Sequence, residues 1–476
     1  MTSDPNRHTH VLIIDETDAL AIYKPVTYSD FVDADKDRVR LMVITSKGAL
    51  SQQDRDRCMF AIELDRPTRN GMVEMLALRL HHQFRVDVVY TKQEDIILRA
   101  AHIRRLLGIT NNLQREDALL YRDKYLMKKH ARQRGFPVPA FERVFSPVDI
   151  LAFVELNNLP IIVKPTLGSS SASVRVVRTQ EELEKYLENE FYDRIDDVGK
   201  TMEYAGDLIV ESFLDNRRMY HVNGYARKGR IEHVWPFGYI QTNLGFTQGR
   251  AYGNVLIPQT DSRWRGLVSA AQRLLDMMPS PEHLIFHLEL FEKARGSDSD
   301  GSEIDYVLCE IAARRPGGSI ALLMDMAEGG GGFFPETEFR LNIGLPRRER
   351  PEIKPLPPSR TVGDLMIPKK PGRLLAVPDP AACPVPGIKC HVFGKIGSVH
   401  RCFQLTRLNT CTRLVTEDVF ESTEHVERAL AEAHAWVDQN TKYEPADCTE
   451  LDVALSAHHS AKTSRMSSAV VVVDGE

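Results

Sequence analysis

The chain has 476 residues, of which 42% are hydrophobic and 27% charged, the balance of an ordinary globular protein and a length that predicts about three domains. With 61 basic and 66 acidic residues the formal net charge is −5, so nothing global favours nucleic acid or an anionic membrane, and small molecules are the expected partners. There is no bilayer-length apolar run, and the polar start MTSDPNRHTH lacks an apolar signal segment, so a cytoplasmic location is expected. The seven cysteines are scattered and never spaced as CxxC, which favours reduced structural thiols over a disulfide framework or a zinc knot.

Residues 9–14, 40–46, 59–64 and 86–90 are short apolar runs of strand type. Between them lies a helical pattern with Met72, Met75, Leu76, Leu80 and Phe84 on one stripe, and a second amphipathic helix follows, ending at Gly108. Strand–helix alternation predicts a Rossmann-like parallel sheet over residues 1–115. No GxGxxG follows the first strand, so the domain reads as a scaffold covering part of a substrate site.

A helix is expected over 117–134, carrying Lys124 among other cations, and FPVPAF forces an extended exit after Gly135. The strand LPIIVKP, 159–165, ends in Lys164, which is costly to bury unless it meets an anion. After it, the small residues of TLGSSSASV, among them Gly168, Ser169, Ser170 and Ser171, form a loop able to bring N–H and hydroxyl groups against phosphate oxygens. Thr179 and Glu182 form a capping box for the next helix. The strand DLIVESFL, 207–214, and the hairpin MYHVNGYA–RIEHVW complete what reads as one antiparallel unit over about 160–236. WRGLVSAAQRLLDMM is a core helix.

Two apolar strands then carry charge: LIFHLELF, from 284, and YVLCEIAARRPGGS, from 306, separated by the polar insert EKARGSDSDGSE, which reads as a mobile hairpin tip. Alternation places His287 and Glu289 on one face and Leu288 and Leu290 on the other; in the second strand Leu308, Glu310, Ala312 and Arg314 share a face, with Val307, Cys309 and Ile311 pointing away. Bringing Glu289 and Glu310 together is costly unless a cation lies between them, and a hard divalent ion such as Mg2+ is the natural partner. Arg314 and the Gly317-Gly318 turn offer a guanidinium and bare N–H groups to a phosphate or carboxylate. His287 reads either as a group that orients substrate or takes a proton from an amine, or as packing.

Residues 345–360 form a proline-stiffened linker, followed by the short strands GRLLAV, KCHVFG and TRLVT and by a helix with Val426, Ala429, Leu430, Ala433 and Val437 inward. The stretch 445–467 reads as flexible, and the final SAVVVVDGE as an edge strand.

Lys124 in RDKY, Lys164 in IVKP, GSSSAS, IVESFL, HLELF and EIAARRPGG occur in the order and approximate spacing of the ATP-grasp ligases. Within that superfamily the chain resembles the biotin-carboxylase-like carboxylate–amine ligases, the L-amino-acid-ligase and carnosine-synthase group. The resemblance implies an α/β and α+β multidomain chain: a Rossmann-like domain at 1–115, an ATP-grasp domain at 116–345 with a lid at about 160–236, and a linker with a mixed α+β domain at 346–476. It implies an ADP-forming ligase that joins amino acids, in specialised metabolism, through an acyl phosphate. Lys124, Lys164 and the loop from Gly168 would then hold phosphates. Glu211, Ser212, Phe213 and Leu214 would line the adenine pocket, with Glu211 accepting from the exocyclic amine and the backbone of Phe213 and Leu214 making the hinge contacts. Glu289 and Glu310 would hold Mg2+, with Mn2+ a substitute; Arg314 and His287 would be catalytic, and Arg315, Gly317 and Gly318 would contact substrate or phosphate. Three departures stand out: Ala312 where the family often has a metal-binding Asn, Met219 where many members place an acidic ribose contact, and a serine-rich loop GSSSAS where relatives often have more glycine. The implied partners are ATP and amino-acid or other small carboxylate and amine substrates, with a homodimer compatible and neither nucleic acid nor membrane expected. A bicarbonate-using enzyme or a non-catalytic ATP-binding regulator are the alternatives.

Overall fold

The structure is a computed structural model that describes residues 7–16, 26–169, 171, 173–192, 207–215, 217–293, 305–331, 333–351, 354–400 and 410–445. Ser170, most of the insert EKARGSDSDGSE, most of the stretch expected to be flexible and the expected C-terminal edge strand lie outside the described residues. The chain divides into two compact units, one of residues 1–240, 254–363 and 419–423, the other of 241–253, 364–418 and 424–476.

The first unit begins with β1 (Thr9–Ile14), β2 (Val39–Ser46), β3 (Phe60–Leu64) and β4 (Val88–Tyr90), all parallel in the order β3-β2-β1-β4. The apolar runs with β-branched residues become buried strands, as their composition requires. The helix between β3 and β4 spans Met72–Phe84, but its buried stripe is Val73, Ala77 and Leu80, while Met72 and Met75 are exposed. Leu76, Leu80 and Phe84 of the expected stripe do pack against the core, with Val73 and Ala77 on the buried face in place of Met72 and Met75, because Val73, Ala77 and Leu80 give the i, i+4, i+7 face that meets the sheet.

The helix expected over 117–134 is two helices, Arg115–Leu120 and Lys124–Gln133. Asp123 breaks the run: its side chain accepts from the N–H groups of Tyr125 and Leu126, an N-cap that makes Lys124 the first helical residue rather than a mid-helix cation.

β5 (Phe141–Val144), β6 (Ile161–Pro165), β7 (Arg175–Val177) and β8 (Leu208–Ser212) form an antiparallel sheet, order β5-β8-β6-β7, packed on the helices Pro147–Asn157 and Gln180–Asn189. The hairpin β9 (Met219–Arg227) and β10 (Arg230–Gln241) does not join it, against the expectation of one antiparallel unit across 160–236. Those strands pair instead in the order β13-β12-β9-β10-β11, where β11 is Tyr252–Leu256, β12 His283–Glu292 and β13 Tyr306–Ala312. Leu288, Leu290, Leu308 and Ile311 of this sheet are wholly buried against the helix Ser262–Met277, each contributing about 1.5–3 kcal/mol of burial.

In the second unit β14 (Gly363–Pro368), β16 (Ile388–Val392) and β18 (Thr410–Thr416) pair as β14-β18-β16, and β15 (Gly372–Ala376), β17 (Val399–His400) and β19 (Lys442–Glu444) as β17-β15-β19. The helix Thr423–Asn440 buries Val426, Ala429, Leu430, Ala433 and Val437, the stripe read from its spacing. β14 was missed, hidden in a proline-rich stretch although all six of its residues are buried.

Candidate active site

Glu289 on β12 and Glu310 on β13 stand directly opposite each other in the antiparallel register. Between Glu289 and Leu290 that register slips by one, so Leu290 faces Leu308 and Cys309 is the extra residue of a bulge. This corrects the strict alternation read from the sequence. Leu308 turns to the core with Ile311, and Glu310 alone of the three faces Glu289.

Glu310 Oε2 lies 2.8 Å from Lys124 Nζ, which also donates to the Gly168 carbonyl at 2.6 Å. Burial alone would raise the Glu310 carboxyl; Lys124 first, then Lys164 and Arg314, outweigh it and hold the group ionised well below the usual carboxylate range. The break at Asp123 is what aims Lys124 here, since the lysine enters from the first turn of its helix.

A second ion cluster lies beside the first. Lys164 Nζ and Lys128 Nζ each sit 3.0 Å from Glu211 Oε1, and Lys128, wholly buried, also donates to the Cys309 carbonyl. Burial would raise the Glu211 carboxyl, and the two lysines reverse that and hold it below its ordinary range. Glu211 is thus committed to lysines rather than presented to solvent. The Phe213 N–H is likewise taken, by the Pro160 carbonyl at 3.0 Å, so the expected donation from residue 213 is used within the protein. Ser212 N–H donates to the Ala140 carbonyl at 2.9 Å; Leu214, like Phe213, is half-buried at the end of β8.

Arg314 reaches Glu94 Oε2 through Nε and Nη2, both at 2.6 Å, and Arg122 Nη1 takes Glu94 Oε1 at 2.6 Å. Arg122 Nη2 donates to the Leu167 carbonyl at 2.9 Å, tying the root of the small-residue loop to the same carboxylate. Burial would raise Glu94, and Arg314 followed by Arg122 brings it below the normal range. In the loop itself Ser171 has φ +56° and Ser173 φ +55°, left-handed positions that favour glycine. A Cβ on Gly168 would approach Pro165 to 3.3 Å, so that position has little room for a side chain. Ser169 is half-buried. Gly318 has φ +60°, whereas a Cβ at Gly317 would meet nothing within 4 Å.

Behind Glu289 runs a buried polar chain. Asn223 Nδ2 donates to His221 Nδ1 at 2.8 Å, so His221 carries its proton on Nε2 and donates it to Asn254 Oδ1 at 3.1 Å. Burial, then His287, push the His221 pKa well down and keep the ring neutral. Asn223 Oδ1 accepts from His287 Nδ1 at 2.7 Å, which leaves His287 Nε2 pointing to Glu289 Oε1 at 3.4 Å. Tyr239 donates to the same oxygen at 2.5 Å. Ala312 faces His287 across the strand pair, buried and without a donor atom.

Lys124, Lys164, Glu289, Glu310 and Arg314 therefore lie near one another, the grouping that the resemblance implied. Arg315 turns elsewhere, toward Glu338 at 3.5 Å. Lys128, Glu94, Arg122 and Tyr239 were missed. Lys128 carried a usable signal, since it lies one turn from Lys124 on the same helix face. Glu94 and Tyr239 come from distant segments and carried none.

Glu289 and Glu310 fit a hard divalent ion: both are oxygen donors, they are adjacent, and Glu310 is held ionised. Among the described residues no group of three or more His, Cys, Asp or Glu is placed to enclose a metal, so an ion here would take most of its ligands from substrate or water.

No family model matches the chain. An L-arginine-specific L-amino acid ligase of Bacillus subtilis is 24% identical over 294 residues, which is 60% of this chain, and the match spans 64% of that relative's length. An L-amino acid ligase from Bacillus licheniformis superposes with a TM-score of 0.63 at 18% identity, covering 93% of this chain and 100% of its own. The biotin carboxylase domain of the 2-oxoglutarate carboxylase of Hydrogenobacter thermophilus, a dimer solved with MgADP and bicarbonate, gives 0.56 at 12% identity, covering 92% and 91%. Among the described residues no helix is long and apolar enough to cross a membrane.

Proposed function

We propose that the chain is an ATP-grasp enzyme, an ATP-dependent carboxylate–amine ligase that joins two amino acids through an acyl phosphate, releasing ADP and phosphate. The observation that carries this reading is the Glu289–Glu310 pair, set in register and ringed by Lys124, Lys164 and Arg314. Two carboxylates among three cations suit a polyphosphate better than any uncharged ligand.

In the first step a carboxylate oxygen of one substrate attacks the γ-phosphorus of ATP. The bond from that phosphorus to the β–γ bridging oxygen breaks, and ADP leaves with the electron pair. Lys124 and Lys164 hold phosphate oxygens as point charges, exchanging part of their contact with Glu310 and Glu211 for the ligand. Glu289 and Glu310 would hold Mg2+, which when bound neutralises charge developing on the phosphates. Tyr239 fixes the Glu289 carboxylate from behind. Arg314, aimed by Glu94, faces the transferring phosphoryl group and the acyl phosphate. In the second step an amine lone pair attacks the acyl carbon as the bond to phosphate breaks. Glu211 serves as the anchor of Lys164 and Lys128, and the segment 212–214 would line the adenine pocket.

The test is product analysis. ADP and phosphate should appear only when a suitable carboxylate is present; AMP and pyrophosphate would sink the reading. Turnover that needs bicarbonate and no amino acid would replace it with a carboxylase-like reaction.

A further inference from the structure

The helix Pro147–Asn157 is apolar on two sides, and the chain covers only one of them. Ile150 and Phe153 are buried with Ile161, Val163 and Val210 of the sheet β5-β8-β6-β7. On the outer side Val148 is 68% exposed, Leu151 45% and Leu156 83%, and Phe145, just before the helix, is 73% exposed. A helix that is apolar all round belongs in an interior, so this outer side has the composition of a buried surface. The four side chains expose on the order of 450 Å² together, as much as the largest apolar patch of an ordinary monomer. A stable dimer buries about 800 Å² on each partner, as an apolar core inside a polar rim, and the patch is the size of such a core.

Beside the patch runs a groove of about 380 Å³, with Ala140, Phe141, Ala152, Phe153 and Leu156 as its apolar lining. Two opposite charges, Arg132 and Glu142, also line it. The Arg132 guanidinium lies over the Phe141 ring, 4.4 Å from its centroid, and Glu142 accepts from the Arg143 N–H at 3.0 Å. Neither forms an ion pair among the described residues.

We propose that this face is the interface of a homodimer, in which two copies of the helix Pro147–Asn157 pack antiparallel about a two-fold axis at Ala152. Val148 and Leu156 lie four residues to either side of that position, so the axis sets Val148 against the partner's Leu156 twice. Alanine at the centre lets the two backbones approach closely. A two-fold interface must be complementary to itself, and this face carries what that requires: apolar side chains that protrude, a groove beside them, and one cation with one anion. Arg132 meets the partner's Glu142 across the axis, and the same pair forms again on the other side. A second copy of the face satisfies both signs of charge, whereas a partner of uniform charge would repel one of them. Glu155, the one exposed charge on the outer side of the helix, stays at the solvent rim. The helix packs on the sheet that carries Lys164 and Glu211, so the dimer joins two such sheets back to back. The inference stands independently of the ligase reading.

Sedimentation velocity of the full chain across about 1–100 μM should show a monomer passing into a dimer. Leu156→Glu puts a charge into the apolar core and should raise the dissociation constant about thirtyfold or more, the loss at one interface hot spot. Because that side chain is 83% exposed, the variant should keep the circular dichroism of the wild type. Arg132→Glu and Glu142→Arg should each weaken self-association, since either change sets like charges together at two contacts. An equal mixture of these two variants should associate about as tightly as the wild type, because only the mixed dimer restores both ion pairs. A wild type that is monomeric at the top of the range, a dimer untouched by Leu156→Glu, or a mixture that associates no better than its components would overturn the proposal.

Discussion

Lys128→Met is the sharpest probe of the ion cluster. Lys128 Nζ lies 3.0 Å from Glu211 Oε1 and donates to the Cys309 carbonyl from a wholly buried position. Methionine keeps much of the chain's shape and removes the ammonium. Losing a hydrogen bond to a charged group costs about 1.5–3 kcal/mol, and a stranded buried carbonyl about 1–3 kcal/mol. Relief from burying a cation beside Lys164 offsets part of this, so a net loss of about 2 kcal/mol is expected. Glu211→Gln strands two buried ammonium groups at once and should cost more, about 3–5 kcal/mol. Because both variants disrupt one contact, the double variant should be less destabilised than the sum by about 1 kcal/mol or more. Urea unfolding followed by tryptophan fluorescence reads these differences, since Trp235 and Trp264 both lie in the unit that carries the site. If Lys128→Met were as stable as the wild type within about 0.5 kcal/mol, or if the two costs simply added, the shared-carboxylate account of this cluster would fail.

Glu310→Gln removes a charge from the carboxylate pair and should lower kcat on the order of a hundredfold or more in ADP-release assays; normal turnover would displace the metal and phosphate site from β12 and β13. Tyr239→Phe removes the donor that orients Glu289, and the Mg2+ concentration for half-maximal activity should rise about 10- to 100-fold; an unchanged value would mean that Glu289 does not ligate the ion. Glu94, Glu211 and Glu310 are all held below the ordinary glutamate range, so the stability they contribute is present above about pH 4.3 and is lost as pH falls through their lower folded values. Glu338, raised by burial, acts in the opposite sense, as one group against three. The urea midpoint should therefore be flat from about pH 7 to 5 and fall below that; a midpoint that rises on acidification would contradict the paired-carboxylate description.

Much of this fold is legible in local pattern. The strands of the parallel sheet, the helix Ser262–Met277 and the helix Thr423–Asn440 follow apolar spacing that needs no long-range information. The errors came where one residue competes with periodicity. Asp123 caps a helix inside a continuous helical pattern, and Cys309 bulges a strand whose alternation gives no warning. The hairpin β9–β10 was assigned to the wrong sheet because strand content does not specify which strands pair. At the site, residues aimed by their own strand were readable: Glu289, Glu310 and Lys164 are polar interruptions in apolar runs. Those that act by arriving from elsewhere were not, since Glu94 and Arg122 meet Arg314 only after the chain has folded.

The central claim is that a carboxylate is activated by phosphorylation at the Glu289–Glu310 pair. It is tested most directly by incubating the protein with ATP, Mg2+ and hydroxylamine across a panel of amino acids, measuring hydroxamate and nucleotide products together. At least one carboxylate should give hydroxamate and ADP in equal amounts, with Glu310→Gln giving neither at a comparable rate. AMP as the nucleotide product, or ATP bound with no product from any member of the panel, would contradict it.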